Sequence, residues 1–195
     1  MSIRIISPAA TRDLTTRVQV KRELGLAEEG DDALIDALIS QASSAIETAC
    51  RRVLARESVV ETVIGRGRSL LMLTRTPIVS VASVHAGGVA VAPDLWGVLS
   101  EDAGLLHRRG GWDEAPFEIA YTGGFALPGD PDCTLPGALE RACLETVKLW
   151  LAARDRDPSL NAESAGGYSA SYAPSRGLPD AARELLAPWR RPSFA

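Results

Sequence analysis

The sequence predicts an α+β protein. It reads as a helical bundle of two long helices and a short N-terminal helix, with a small antiparallel β-sheet inserted between the long helices and an extended C-terminal arm. Three observations carry this reading. Apolar residues recur three and four apart from Asp31 to Val53 and again after Pro136, the period of a helix with one oily face. Between those stretches, from Glu57 to Thr122, β-branched residues and leucine gather in short runs separated by Gly and Pro. From Asp155 onward Pro, Ser, Asn and Gly displace the apolar residues that a core would need.

Residues 31–53 are the stretch around which the rest is arranged. Ile35, Leu38, Ile39, Ala42, Ala45, Ile46, Ala49 and Val53 fall on one stripe, so this helix needs a packed partner. Asp31 or Asp32 can accept from the free N–H groups at its start. Glu28 and Glu29 put negative charge at the positive end of the dipole, and Arg51 and Arg52 match the other end. The opposite face carries Asp36, Ser40, Ser43, Ser44 and Glu47. Short polar side chains lose little entropy when another chain approaches, which makes Ser40, Ser43, Ser44 and Glu47 the candidate subunit interface.

Ahead of this helix, Met1 to Ala10 reads as a loose lead-in. Thr15 or Thr16 caps a short helix through Leu24, and Gly25 stands where a helix stop favours glycine. The short acidic connection Ala27 to Gly30 folds it back on its successor. After Glu57, the runs Val59 to Ile64, Leu70 to Leu73, Ile78 to Val84 and Phe117 to Tyr121 read as strands, with shorter ones at Val89 to Val91, Gly97 to Leu99 and Gly104 to His107. Gly65, Gly67, Thr76-Pro77, Gly87-Gly88 and Gly110-Gly111 punctuate them. Pro136 opens the second long helix, to about Arg154, whose stripe Leu139, Ala142, Cys143, Val147, Trp150 and Leu151 is the natural partner for the first. The division expected is a body over 1–154, with helices 15–24, 31–53 and 136–154 and a β insertion 57–122. A C-terminal arm over 155–195 follows, with a short helix 180–186.

Composition bounds the function. The 195 residues are 46% hydrophobic and 24% charged, enough apolar material for one ordinary core. No apolar run approaches bilayer length, and the first ten residues lack the pattern of a cleaved leader, so the chain is expected to be soluble and not exported. Cys50, Cys133 and Cys143 have no metal-type spacing and read as reduced thiols. A net charge of −4 argues against a domain whose main work is gripping a nucleic-acid backbone. Arg66, Arg68 and Arg75 read as solvated arginines at strand ends.

The chemical motifs are missing. The chain has no glycine-rich loop ending in Lys-Ser or Lys-Thr, no Gly-x-Ser-x-Gly and no His-Glu-x-x-His. His85 and His107 are the only histidines, each placed in a strand or hairpin. Asp102, Asp130 and Asp132 could be assembled into a carboxylate cluster for a hard cation, but acids beside Pro and Gly are ordinary turn formers. No catalytic residue, metal site or cofactor is expected.

The order of parts resembles the head-tail adaptor, or connector, proteins of long-tailed phages and phage-like gene transfer particles. The matching pieces are Asp31-Asp32-Ala33-Leu34-Ile35 leading to Ala45-Ile46-Glu47 and Arg51-Arg52-Val53-Leu54, then Thr76-Pro77-Ile78-Val79-Ser80-Val81 before a Gly-Gly hairpin. Ile119-Ala120-Tyr121-Thr122-Gly123-Gly124, Leu135-Pro136-Gly137-Ala138-Leu139, Gly167-Tyr168-Ser169-Ala170-Ser171-Tyr172 and Leu185-Leu186-Ala187-Pro188-Trp189-Arg190-Arg191 follow in order. The resemblance implies a non-enzymatic head-completion part that forms a ring beneath the portal, twelvefold by likeness to portal symmetry, and joins the DNA-filled head to the stopper or tail. It implies a place in the particle neck, host cytoplasm during assembly, at most transient contact with DNA in the channel, and no membrane. In that family the C-terminal segment reaches the portal, which makes Tyr168, Tyr172, Leu185, Leu186, Trp189, Arg190, Arg191 and Phe194 the candidate portal-binding residues. Two alternatives stand beside it: another neck or tail-completion protein, and a small metal-dependent enzyme using Asp102, Asp130 and Asp132.

Overall fold

Strand pairing organises more of this chain than helix packing does. The computed structural model describes residues 2–26, 31–154, 162–165, 168–171 and 177–191. Two compact units emerge, residues 1–11 with 52–126 and residues 12–51 with 127–195.

The first unit contains β1 (Ser2–Ser7), β2 (Glu57–Ile64), β3 (Leu70–Met72), β4 (Ile78–Ala86), β5 (Val89–Ala90), β6 (Trp96–Ser100), β7 (Leu105–Arg108) and β8 (Pro116–Gly123). They form a five-stranded antiparallel sheet of order β1-β2-β8-β4-β5 and a three-stranded one of order β3-β7-β6. Alternation explains the core. In the register Glu57↔Gly123 to Ile64↔Pro116, every second pair, Val59↔Tyr121, Glu61↔Ile119 and Val63↔Phe117, faces the same side. That side packs with Leu71 of β3 and Leu106 of β7 into one apolar cluster that also holds Leu73 and Trp112. Trp112 meets Phe117 edge-on at 5.0 Å, and its indole N–H donates to the Ser69 carbonyl at 3.1 Å.

Two inward positions on β2 are glutamates. Glu57 and Glu61 are 1% and 0% exposed, and a carboxylate so placed must be paired or hydrogen-bonded. The turn between β3 and β4 supplies the partners. Arg75 Nε donates to Glu57 Oε2 at 3.0 Å, while Thr74 N and Oγ1 donate to Glu61 Oε2 at 3.0 and 2.8 Å. Tyr121 completes the group from β8: its hydroxyl donates to Glu61 Oε2 at 2.5 Å and accepts from Arg75 N at 2.9 Å. The turn can come this close because β8 ends in glycine. A Cβ on Gly123 would lie 2.3 Å from the Arg75 carbonyl oxygen, and one on Gly124, at φ 106, would lie 2.4 Å from that of Ala55.

The second unit contains α1 (Arg17–Leu24), α2 (Asp32–Cys50), α3 (Gly137–Ala153), the hairpin strands β9 (Ala162–Ala165) and β10 (Tyr168–Ser171), and α4 (Asp180–Leu186) followed by a 3-10 turn (Ala187–Trp189). Thr16 caps α1 by accepting from Gln19 N at 3.2 Å, and Gly25 closes it in the left-handed region at φ 63. Arg17 spans to Asp32 and Asp36, and Lys21 reaches Asp32, tying α1 to α2. Ile35, Ile39, Ala42, Ile46 and Cys50 of α2 and Leu139, Ala142, Cys143 and Val147 of α3 are buried where the two helices pack. The seam keeps Ile35, Ile39, Ala42 and Ile46 of the expected stripe and adds Cys50. Apolar residues stand at both 38 and 39 and at both 49 and 50, and the inner member is Ile39 and Cys50 while Leu38 and Ala49 stay half-buried. Burial pushes the Cys143 thiol up to about 12, so it behaves as a small hydrophobe.

The fold expectation is therefore corrected. Among the described residues the structure has four short helices and antiparallel sheets, about 29% strand, an α+β fold that is mostly sheet and not a bundle of two long helices. The sequence period overcounts helix and undercounts strand for two reasons. Arg51 takes a left-handed φ of 55 and stops α2 at Cys50, though apolar residues run on to Val53. Ser2–Ser7, expected as a lead-in, is a sheet strand paired with β2 from Ser2↔Thr62 to Ser7↔Ser58, a contact across more than fifty residues that no local signal announces. Asp31 also departs from its expected role: it makes no side-chain cap and pairs with Arg154 at 3.3 Å.

Tyr121→Phe tests the buried network. Removing the hydroxyl leaves Arg75 N without its acceptor and Glu61 without one donor, so the variant should unfold with a loss of about 1–3 kcal/mol in urea titration. Burial first, and then the Glu61 charge, raise the Tyr121 hydroxyl well above its ordinary value. Its contribution is thus complete below the unfolded value of about pH 10 and lost as pH rises beyond it, a decline that the Phe variant should not share.

Candidate functional site

The candidate residues of the helical unit separate by burial. On α2, Ser40 and Ser44 are exposed. Glu47 is partly buried, with Arg12 at 3.9 Å. Ser43 is a correction: at 2% exposure it points inward, where its Oγ accepts from Leu14 N at 2.9 Å and lies 3.7 Å from Cys143 Sγ. It anchors the segment before α1 and is closed to any other subunit. No local signal separates it from its neighbours, since a serine three residues from Ser40 and next to Ser44 sits on the boundary of a polar face.

The C-terminal candidates divide in the same way. Leu186 is fully buried together with Ala182, because α4 packs on α3 and α2 of its own unit. That is a second correction, as a side chain inside the core is no anchor for a portal. The spacing of Ala182 and Leu186, four apart, was the available signal for an inward face. Trp150 faces this region instead of the α2 seam: it is half-buried and its indole N–H donates to the Gly177 carbonyl at 3.0 Å. Arg191 N donates to the Cys50 carbonyl at 3.0 Å, fixing the chain past α4. Arg190 is exposed and Leu185 and Trp189 are partly so. Leu185 lines a shallow groove with Arg141, Glu145, Ala181 and Glu184. Tyr168 lies on β10, of which only the backbone is described, and Tyr172 and Phe194 fall outside the described residues.

Asp130 Oδ1 accepts from Asp132 N at 2.9 Å, the bond of an ordinary Asx turn, and Asp102 belongs to the other compact unit. Among the described residues no group of three His, Cys, Asp or Glu side chains could hold a metal ion, and no helix is long and apolar enough to cross a membrane. What the unit does offer is surface: a small-polar helix face and a helix-turn end carrying Trp189 and Arg190.

The comparison with protein families decides between these readings. The profile described as "Head completion protein" matches residues 13–192. The chain belongs to the head completion protein family. Membership makes it a structural part and not an enzyme. Two solved structures share the fold of this family member. One is a chain in the neck of an empty gene transfer agent particle computed with C6 symmetry, with a TM-score of 0.64 at 16% identity over 100% of this chain and 98% of that one. The other is a chain in the virion of a native gene transfer agent particle, with a TM-score of 0.65 at the same identity and coverage. No curated protein sequence matches.

With Leu186 in the core, Leu186→Ala should cost about 2–5 kcal/mol, while Arg190→Ala should leave the thermal midpoint near the parent value. Differential scanning calorimetry of both variants checks this; equal midpoints would place α4 outside the folded unit.

Proposed function

We propose that this head completion protein forms a ring beneath the portal and joins the DNA-filled head to the stopper or tail. The family match over residues 13–192 carries the reading, and the likeness in fold to a chain of a gene transfer agent neck supports it. The site of action is the neck of a phage or phage-like particle. A ring that follows the portal's twelvefold symmetry is compatible with the C6 symmetry of the matched neck, because a twelvefold axis contains a sixfold one.

Within that ring, Ser40, Ser44 and Glu47 of α2 meet the neighbouring subunit, and Leu185, Trp189, Arg190 and Arg191 meet the portal, with Tyr168, Tyr172 and Phe194 as further contacts. A rotationally repeated contact is heterologous, so two different patches must fit one another, and short side chains such as Ser40 and Ser44 ease the fit. Tryptophan and arginine dominate binding energy at many interfaces, and Trp189 and Arg190 are both accessible at the end of a helix braced by its own unit.

A photo-crosslinking residue at Arg190 should capture the portal, and one at Ser44 a second copy, when assembled particles are irradiated and read by mass spectrometry. Capture of a tail protein alone at position 190, or of nothing at either position, would overturn the arrangement.

A further inference from the structure

Among the described residues both edges of the five-stranded sheet are open, and they differ. There β1 is hydrogen-bonded on one side only, to β2. Its partners Ile3↔Glu61 and Ile5↔Val59 place Ile3 and Ile5 on the core-facing side, yet they are 36% and 43% exposed. The apolar face of the sheet thus continues onto a strand whose residues are all exposed. Edge strands are usually blunted by charge, proline or brevity. This one is six residues long, carries one charge, Arg4, and has no proline before Pro8.

At the opposite side the outermost strand, β5, is only two residues long, which leaves most of β4 at the edge. β4 pairs with β8 along its length, but β5 covers it only at His85 and Ala86, and Val91 N adds a bond to the Val84 carbonyl. From Val79 to Ser83 the outer side has no backbone partner among the described residues, and Val79 is 48% exposed. Strand direction links the two edges. Each neighbouring pair in β1-β2-β8-β4 is antiparallel, so β1 runs opposite to β4. A rotation that carries one subunit to the next without inverting it brings the second β1 antiparallel to the first β4. Six residues meet five, and Val79 to Ser83 carry no charge to repel Arg4.

We infer that β1 of one copy adds to the Val79–Ser83 edge of β4 in the next copy, joining the five-stranded sheets of neighbouring subunits into one continuous sheet. This rests on the reading that the chain repeats around a ring. A heterologous contact needs two different complementary patches on each subunit, and the sheet presents two such edges. Closure then removes both, as full closure does in barrels, and buries Ile3 and Ile5 at the junction.

The pairing can be locked covalently. Arg4 lies opposite Val60 and so on the outer face, where Ser80 and Ser83 also stand through Thr122 and Ala120. In full-length chain with Cys133→Ser, Arg4→Cys combined with Ser80→Cys or Ser83→Cys brings two thiols within disulfide reach only across the proposed junction. Oxidised particles carrying the double variants should give a ladder of trimers and larger species on non-reducing gels, and each single variant should give none. A double variant without a ladder overturns the shared sheet while leaving the neck assignment standing. Dimers from Arg4→Cys alone overturn it in favour of a twofold β1 to β1 contact. Absence of the chain from purified particles removes the ring reading itself.

Discussion

Two glutamates that cannot reach water dictate how the strand-rich unit closes. Glu57 and Glu61 stand four residues apart on the inward side of β2, and a carboxylate in that position is tolerated only with its hydrogen bonds made. The chain answers at Glu57 and at one oxygen of Glu61, Oε2, by turning Thr74 and Arg75 back over β2 and by placing Tyr121 on the next strand, while Glu61 Oε1 has no partner among the described residues. Those bonds hold the β3–β4 turn close against Gly123 at the end of β8. The apolar cluster around Trp112 and Phe117 supplies most of the driving force, but it is non-directional. The carboxylate network specifies which turn lies over which strand.

Much of this was legible in the sequence at the level of elements. The capped start of α1, the glycine after it, the opening of α3 behind Pro136 and the short helix before Pro188 all rest on local chemistry, which sequence exposes. The architecture was less legible, because β1 pairs with a strand more than fifty residues away and nothing in Ser2–Ser7 itself names that partner. Glu57 and Glu61 would pass for solvent-facing residues on any period-2 reading, since their partners come from distant turns. The same limit governs the candidate surfaces. Ser43 and Leu186 look like their neighbours Ser44 and Leu185, and only the packing of Leu14 and of α4 separates inward from outward.

The family membership leads to one kind of protein, whose work is done by surfaces. In such a protein the informative features are unpaired edges and accessible helix faces, not titratable clusters. Cys143 illustrates the point: its shift reflects desolvation in a helix seam and prepares no nucleophile. The strand-rich unit contributes open sheet edges and the helical unit contributes a small-polar face and a braced C-terminal turn. The proposed ring would use both kinds of surface, one for its copies and one for other proteins.

The most direct measurement is electron microscopy of particles produced without this chain, with the full chain added back to the same lysate. The account predicts DNA-filled heads that lack tails, lack density at the neck and become tailed when the protein is restored. Tailed particles of normal appearance in its absence would contradict it.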